Sequence, residues 1–138
     1  MNRFLRLAFA TAAALVASTV LHAADPLRVF IRAGIKTHGP NQHDHPRFLG
    51  DWTKLLAERG LKVDGSMEFP TTAQLDGTDV VIIYAADGMK ITGDERTRFE
   101  KFLQRGGGFV VLHDGVVAGD QNDWAKKVQG GSWRWDGE

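Results

Sequence analysis

The run Asp79-Val-Val-Ile-Ile-Tyr-Ala85 constrains the fold more than any other stretch. Its apolar residues are continuous rather than alternating, so both faces of the strand must be covered. Such a strand belongs near the centre of a sheet with helices on both sides. Leu27-Arg-Val-Phe-Ile-Arg-Ala33 and Phe109-Val-Val-Leu112 read as further buried strands, and Leu61-Lys-Val63 as a short edge strand. Helical patterns separate them. Phe48, Leu49, Trp52, Leu55 and Leu56 recur at helical spacing behind Pro46, and Gly60 ends that run. A single helical turn fits residues 73–75. Thr92-Gly-Asp-Glu95 has the form of a capping box, opening a helix that buries Phe99, Phe102 and Leu103 and stops at Gly106. A last helix is expected over residues 121–128, with Asp120 as its N-cap and Trp124 and Val128 facing inward. The alternation predicts an α/β fold with a mostly parallel sheet.

Composition excludes several classes of function. The chain has 138 residues, the length of one domain. Its 17 basic and 17 acidic residues leave no net charge and no basic stripe, so nucleic acid is not an expected partner. It has no cysteine, which rules out disulfides, thiolate metal sites and cysteine nucleophiles. Residues 1–24 read as a secretory signal peptide: Arg3 and Arg6, an apolar run over residues 7–21, then Leu21-His22-Ala23-Ala24. That run is shorter than the roughly 20 residues of a membrane span, although an uncleaved anchor remains the alternative. The expected mature domain is therefore 25–138, periplasmic or secreted, without stable membrane insertion after cleavage.

In an open α/β sheet, ligands bind beyond the carboxyl ends of the strands. His38, His43, Asp44 and His45 follow the first strand, Asp87 the central one, and His113 and Asp114 the next. Every histidine beyond the leader thus falls on one edge. Three roles fit this cluster. Histidine titrates near neutrality, so His113 with Asp114 or Asp87 suits acid/base chemistry. His43, His45 and His113 are also candidate ligands for a divalent metal, although their spacing matches no established zinc pattern. The third role is structural or purely ligand-binding. Ser66 and Ser132 are the serines beyond the leader, and neither sits on a strand-to-helix elbow. Gly34 and Gly39 have P-loop spacing but are followed by Pro40-Asn41, without the lysine and hydroxyl. Trp133 and Trp135 are candidates for stacking on a sugar ring.

Thr37-His38-Gly39 leading to His43-Asp44-His45-Pro46, then Gly106-Gly107-Gly108-Phe109-Val-Val-Leu-His113, then Gly130-Gly131-Ser132-Trp133 resemble the trehalose-utilisation (ThuA-like) domain family. The resemblance runs from about Leu27 to Glu138. It implies a flavodoxin-like three-layer sandwich, similar to class I glutamine amidotransferases, and a longer domain of which the C-terminal part is missing here. It also implies a small-molecule partner: a sugar or glycoside derivative of the trehalose type, or its oxidised form. His38, His43, His45 and His113 carry over as site residues. The elbow that holds a cysteine in the amidotransferases holds His113 here, so glutaminase activity does not carry over. Alternatives to a histidine-based sugar enzyme are a non-catalytic carbohydrate-binding module and a histidine-ligated metalloenzyme.

Overall fold

β-Branched and aromatic side chains favour extended backbone, and the four runs that carry them pair into one sheet. The computed structural model describes residues 25–86 and 88–133. The expected leader over 1–24, Asp87 and residues 134–138, Trp135 among them, lie outside these. The strands are β1 (Arg28–Ala33), β2 (Lys62–Ser66), β3 (Val80–Tyr84) and β4 (Gly108–Val111). Every pairing is parallel, in the order β2-β1-β3-β4. The helices are α1 (His45–Ala57), α2 (Thr72–Asp76), α3 (Gly93–Gln104) and α4 (Asn122–Gln129). None of the described helices is long and apolar enough to cross a membrane.

Alternate residues of the central strands face opposite layers. Val29, Ile31 and Ile82 pack against Phe48, Leu49, Trp52 and Leu56 of α1. Phe30, Val81 and Ile83 point the other way, into a cluster with Leu75 of α2, Phe99 and Phe102 of α3, and Trp124 of α4. The result is a three-layer α/β sandwich. Because α1 covers one face and α3 the other, the chain leaves β1 and β3 in opposite directions. The crevice between their carboxyl ends is where open sheets of this kind bind ligands.

Two glycines let the loops close over that crevice. A Cβ on Gly34 would lie 2.9 Å from the Ala85 Cβ, and one on Gly88 would lie 2.8 Å from the Gly115 Cα. Both distances are shorter than side-chain carbons tolerate, so glycine is what allows the loops after β1, β3 and β4 to touch.

Local details depart from the sequence expectations at three points. Thr92 takes the N-cap of α3 but makes no capping bond. Gly93 is left-handed at φ 55° and turns the chain, while Glu95 pairs with Arg98 at 3.7 Å. A reciprocal capping box forms instead at α2, between Thr71 and Gln74. Asp120 does not cap α4: Gly119, at φ 53°, starts a 3₁₀ turn through Gln121, and the helix begins one residue later than expected. Leu55 is exposed, so the buried stripe of α1 runs through Leu56 without it.

At the opposite, amino end of the sheet, Arg28 clamps Asp79 across β1 and β3 with bonds of 2.6 and 3.0 Å from its guanidinium and 2.9 Å from its backbone N–H. The Arg28 side chain, then its backbone N–H, hold the Asp79 carboxyl down at about 2 against an ordinary 3.8. A depressed carboxyl stabilises the fold above its unfolded value and loses that effect as pH falls through the folded one. The melting-temperature gap between wild type and Asp79→Asn is therefore expected to be constant from neutral pH to about 4, and to close as pH approaches about 2. A gap unchanged at the acid end would rule the clamp out as its source.

Candidate functional site

Residues 34–44 turn from β1 into α1 as a loop held by its own backbone. The Lys36 Nζ donates to the carbonyls of Gly39 and Gln42, at 2.8 and 2.7 Å. The Thr37 N–H donates to the His43 carbonyl at 3.3 Å. Asp44 caps α1 by accepting from the Arg47 N–H, and Pro46 fits the first turn, where no backbone donor is needed. This places His45 as the first residue of α1, fully buried, rather than in the loop.

Four non-glycine residues among those described have left-handed backbone: His38, Asn41, His43 and His113. That conformation is uncommon outside glycine, and it concentrates where surrounding structure enforces it for function. Three of the four are histidines of this one cluster. His113 occupies the sharp turn between β4 and the 3₁₀ turn His113–Val116. Its φ of 51° swings its ring outward, with the side chain about two-thirds exposed, while Asp114 points in and is buried.

The four imidazoles meet. Ring centroids of His43 lie 4.2 Å from His38, 4.8 Å from His113 and 5.9 Å from His45. Asp114, however, is the hub. Its Oδ2 is 3.1 Å from both the His45 Nε2 and the His43 Nδ1, and its Oδ1 is 3.6 Å from the His113 Nδ1. His113 lies on the rim of the cluster. Among the described residues one group has its ligand atoms close enough to hold a metal ion, within 4.8 Å of one another. It is His43, His45 and Asp114, with Asp114 where sequence reasoning put His113. Asp87 lies outside the described residues.

Partial burial pushes His43 below the ordinary histidine value; Asp114 opposes the shift, and the neighbouring imidazoles add to it. A neutral His43 is therefore favoured near neutral pH. Its Nδ1 also lies 3.3 Å from the Thr37 Oγ1, which in turn is 3.1 Å from the His38 Nδ1. On the other side, Tyr84 at the end of β3 packs its ring edge-on against His45 at 4.4 Å. Burial, then the charges of Asp114 and Asp44, push the Tyr84 phenol up. Sequence reasoning passed over Tyr84. The signal was available: it is the polar end of the strongest strand, two residues beyond Ile82.

Above the histidines opens a cleft of about 440 Å³, lined by His38, His43, His113, Asp114, Val116, Val117 and Trp133. Trp133 is held there by its backbone, which bridges to Val117 and donates to the Val116 carbonyl at 3.4 Å. Its ring is about half exposed. The cleft lining thus combines apolar side chains with imidazoles and a carboxylate.

The sequence matches the trehalose-utilisation (ThuA) family over residues 29–138. The chain belongs to that family. A ThuA-like protein from Bacteroides uniformis, known from its crystal structure, superposes with a TM-score of 0.60 at 21% identity, over 76% of this chain and 44% of its own. At that identity the likeness speaks for the fold, and it agrees with the flavodoxin-like architecture. This ThuA chain spans less than half the length of that relative. No curated protein matches the sequence.

Proposed function

We propose that this ThuA domain binds a sugar or glycoside derivative in the histidine cleft and acts on it by proton transfer. The observation that carries this reading is the mixed lining: apolar Trp133, Val116 and Val117 share one cleft with His38, His43, His113 and Asp114. A pyranose offers matching chemistry, with an apolar C–H face that stacks on indole and a rim of hydroxyls that hydrogen-bond. The family description, trehalose utilisation, supports a disaccharide of that type or its oxidised form as the substrate class.

In this reading Trp133 carries the ring. His113, whose side chain is about two-thirds exposed, exchanges protons with the substrate. His38 and His43 face it from the loop after β1. Asp114, anchored on buried His45, fixes the ring of His43. The leader pattern over 1–24 supports an exported location for the reaction.

His113→Ala is expected to slow turnover of disaccharides and keto-sugars by about 10²-fold or more, the usual share of a positioned acid or base. Trp133→Ala is expected to raise KM with a smaller effect on kcat, because stacking acts on bound substrate and transition state alike. Turnover by the His113→Ala protein at the wild-type rate would remove His113 from the chemistry. Calorimetric binding of sugars without turnover of any would make the cleft a binding module.

A further inference from the structure

The contacts around His45 also suit a metal ligand. The His45 Nδ1 lies 2.7 Å from the Ile35 carbonyl oxygen. A carbonyl accepts only, so Nδ1 carries a proton. In the neutral ring, Nε2 then presents a lone pair. It faces the Asp114 carboxylate at 3.1 and 3.3 Å. Two electron-rich atoms at that distance repel; a second proton on Nε2 or a metal cation held by both atoms relieves this. His43 brings a further potential ligand atom, its Nδ1 being 3.1 Å from the same Asp114 Oδ2.

From this geometry we propose that His43, His45 and Asp114 form the binding site of a divalent first-row transition cation. Three observations fit. The ligand atoms lie within 4.8 Å of one another; a tetrahedral zinc site sets neighbouring ligand atoms about 3.4 Å apart, so small side-chain adjustments suffice. The Nδ1–H bond from His45 to a backbone carbonyl is the outer contact that fixes the tautomer of a metal-ligating histidine. His45 is also rigid, being buried at the start of α1 with Tyr84 packed on its ring.

The donor set of two imidazoles and one carboxylate suits zinc, iron, cobalt or nickel, and is a poor match for magnesium or calcium, which prefer oxygen throughout. Three protein ligands leave a coordination position open, as in catalytic rather than structural sites. His43 and Asp114 also line the cleft, so that position adjoins whatever the cleft holds. The inference rests on the sugar reading only for the identity of that occupant. A hydroxyl or carbonyl oxygen of the sugar is the natural one.

The test uses zinc alone, without sugar. Titration calorimetry on chelator-treated, dialysed protein is expected to show one Zn²⁺ per chain. His43→Ala and Asp114→Asn, with circular dichroism spectra like the wild type, should each bind about 10²-fold or more weakly, since the first loses a ligand and the second the ligand's charge. Should either variant fail to fold, Co²⁺ added to the wild type decides: intense visible bands of four- or five-coordinate cobalt are expected. The proposal is overturned if the wild type binds no Zn²⁺, if both folded variants bind as the wild type does, or if Co²⁺ keeps its hexa-aqua spectrum. Because no sugar is present, failure here leaves the sugar reading standing. Failure of the His113→Ala test likewise leaves the metal site standing.

Discussion

On the proposed reading, an Asp114→Asn protein is expected to turn over a sugar derivative about 10²–10⁴ times more slowly than wild type, the range for losing a group that positions proton transfer. The substitution keeps the shape of the side chain and removes its charge. Asp114 is buried, and both buried His45 and half-buried His43 point nitrogens at its Oδ2, at 3.1 Å. An amide offers one oxygen that accepts and one nitrogen that only donates. It carries no charge, so the charge-assisted contacts to the two imidazoles weaken. The stability cost is expected to be about 1.5–3 kcal/mol, that of a hydrogen bond to a charged group. Substrate affinity should change less than turnover, because Trp133 and the valines that hold a ring remain. Denaturation curves measure the first quantity, and kcat and KM on the same sample the second. Turnover within a few-fold of wild type would show that the cleft works without this carboxylate.

Phe99→Ala is expected to cost about 3–5 kcal/mol, the range for removing a fully buried phenylalanine. Phe99 is wholly inaccessible and stands at the middle of the α3-side cluster. It meets Phe109 edge-on at 5.1 Å, Phe69 edge-on at 5.6 Å, Phe102 in a stacked arrangement at 5.8 Å and Trp124 at 6.4 Å. These partners come from α3 itself, β4, α4 and the segment before α2, so they cannot collapse together into the space left behind. Against a typical total of about 5–15 kcal/mol, the loss is a large fraction of the stability. Urea denaturation of wild type and variant measures it. A difference below about 1 kcal/mol would mean that the cluster repacks freely, against the close packing expected of cores.

Much of the architecture was legible because the signals are periodic. The continuous apolar runs at 29–31, 80–84 and 109–111 form strands of the covered sheet, and the helical spacing of Phe48, Leu49, Trp52 and Leu56 is the face that α1 buries. The points that failed are single-residue choices. Whether Thr92 or Asp120 caps a helix depends on the φ of the glycine beside it, and composition does not set that angle. The same limit applies to the site. Order along the chain brings His38, His43, His45 and His113 to one edge, since each follows or nearly follows a strand. It does not say which of them is buried.

What the sequence by itself determined is the layered α/β fold and the edge of the sheet on which the histidines gather. Both follow from side-chain periodicity and from parallel strands ending on the same side. What only the tertiary structure decided is the internal order of the cluster: Asp114 at the hub, His113 turned outward, His45 buried with Nδ1 on the Ile35 carbonyl. Those outcomes depend on a left-handed turn at His113 and on a backbone oxygen ten residues from His45. A backbone carbonyl leaves no mark in the amino-acid sequence, and a side chain's direction is set by neighbours that only folding supplies.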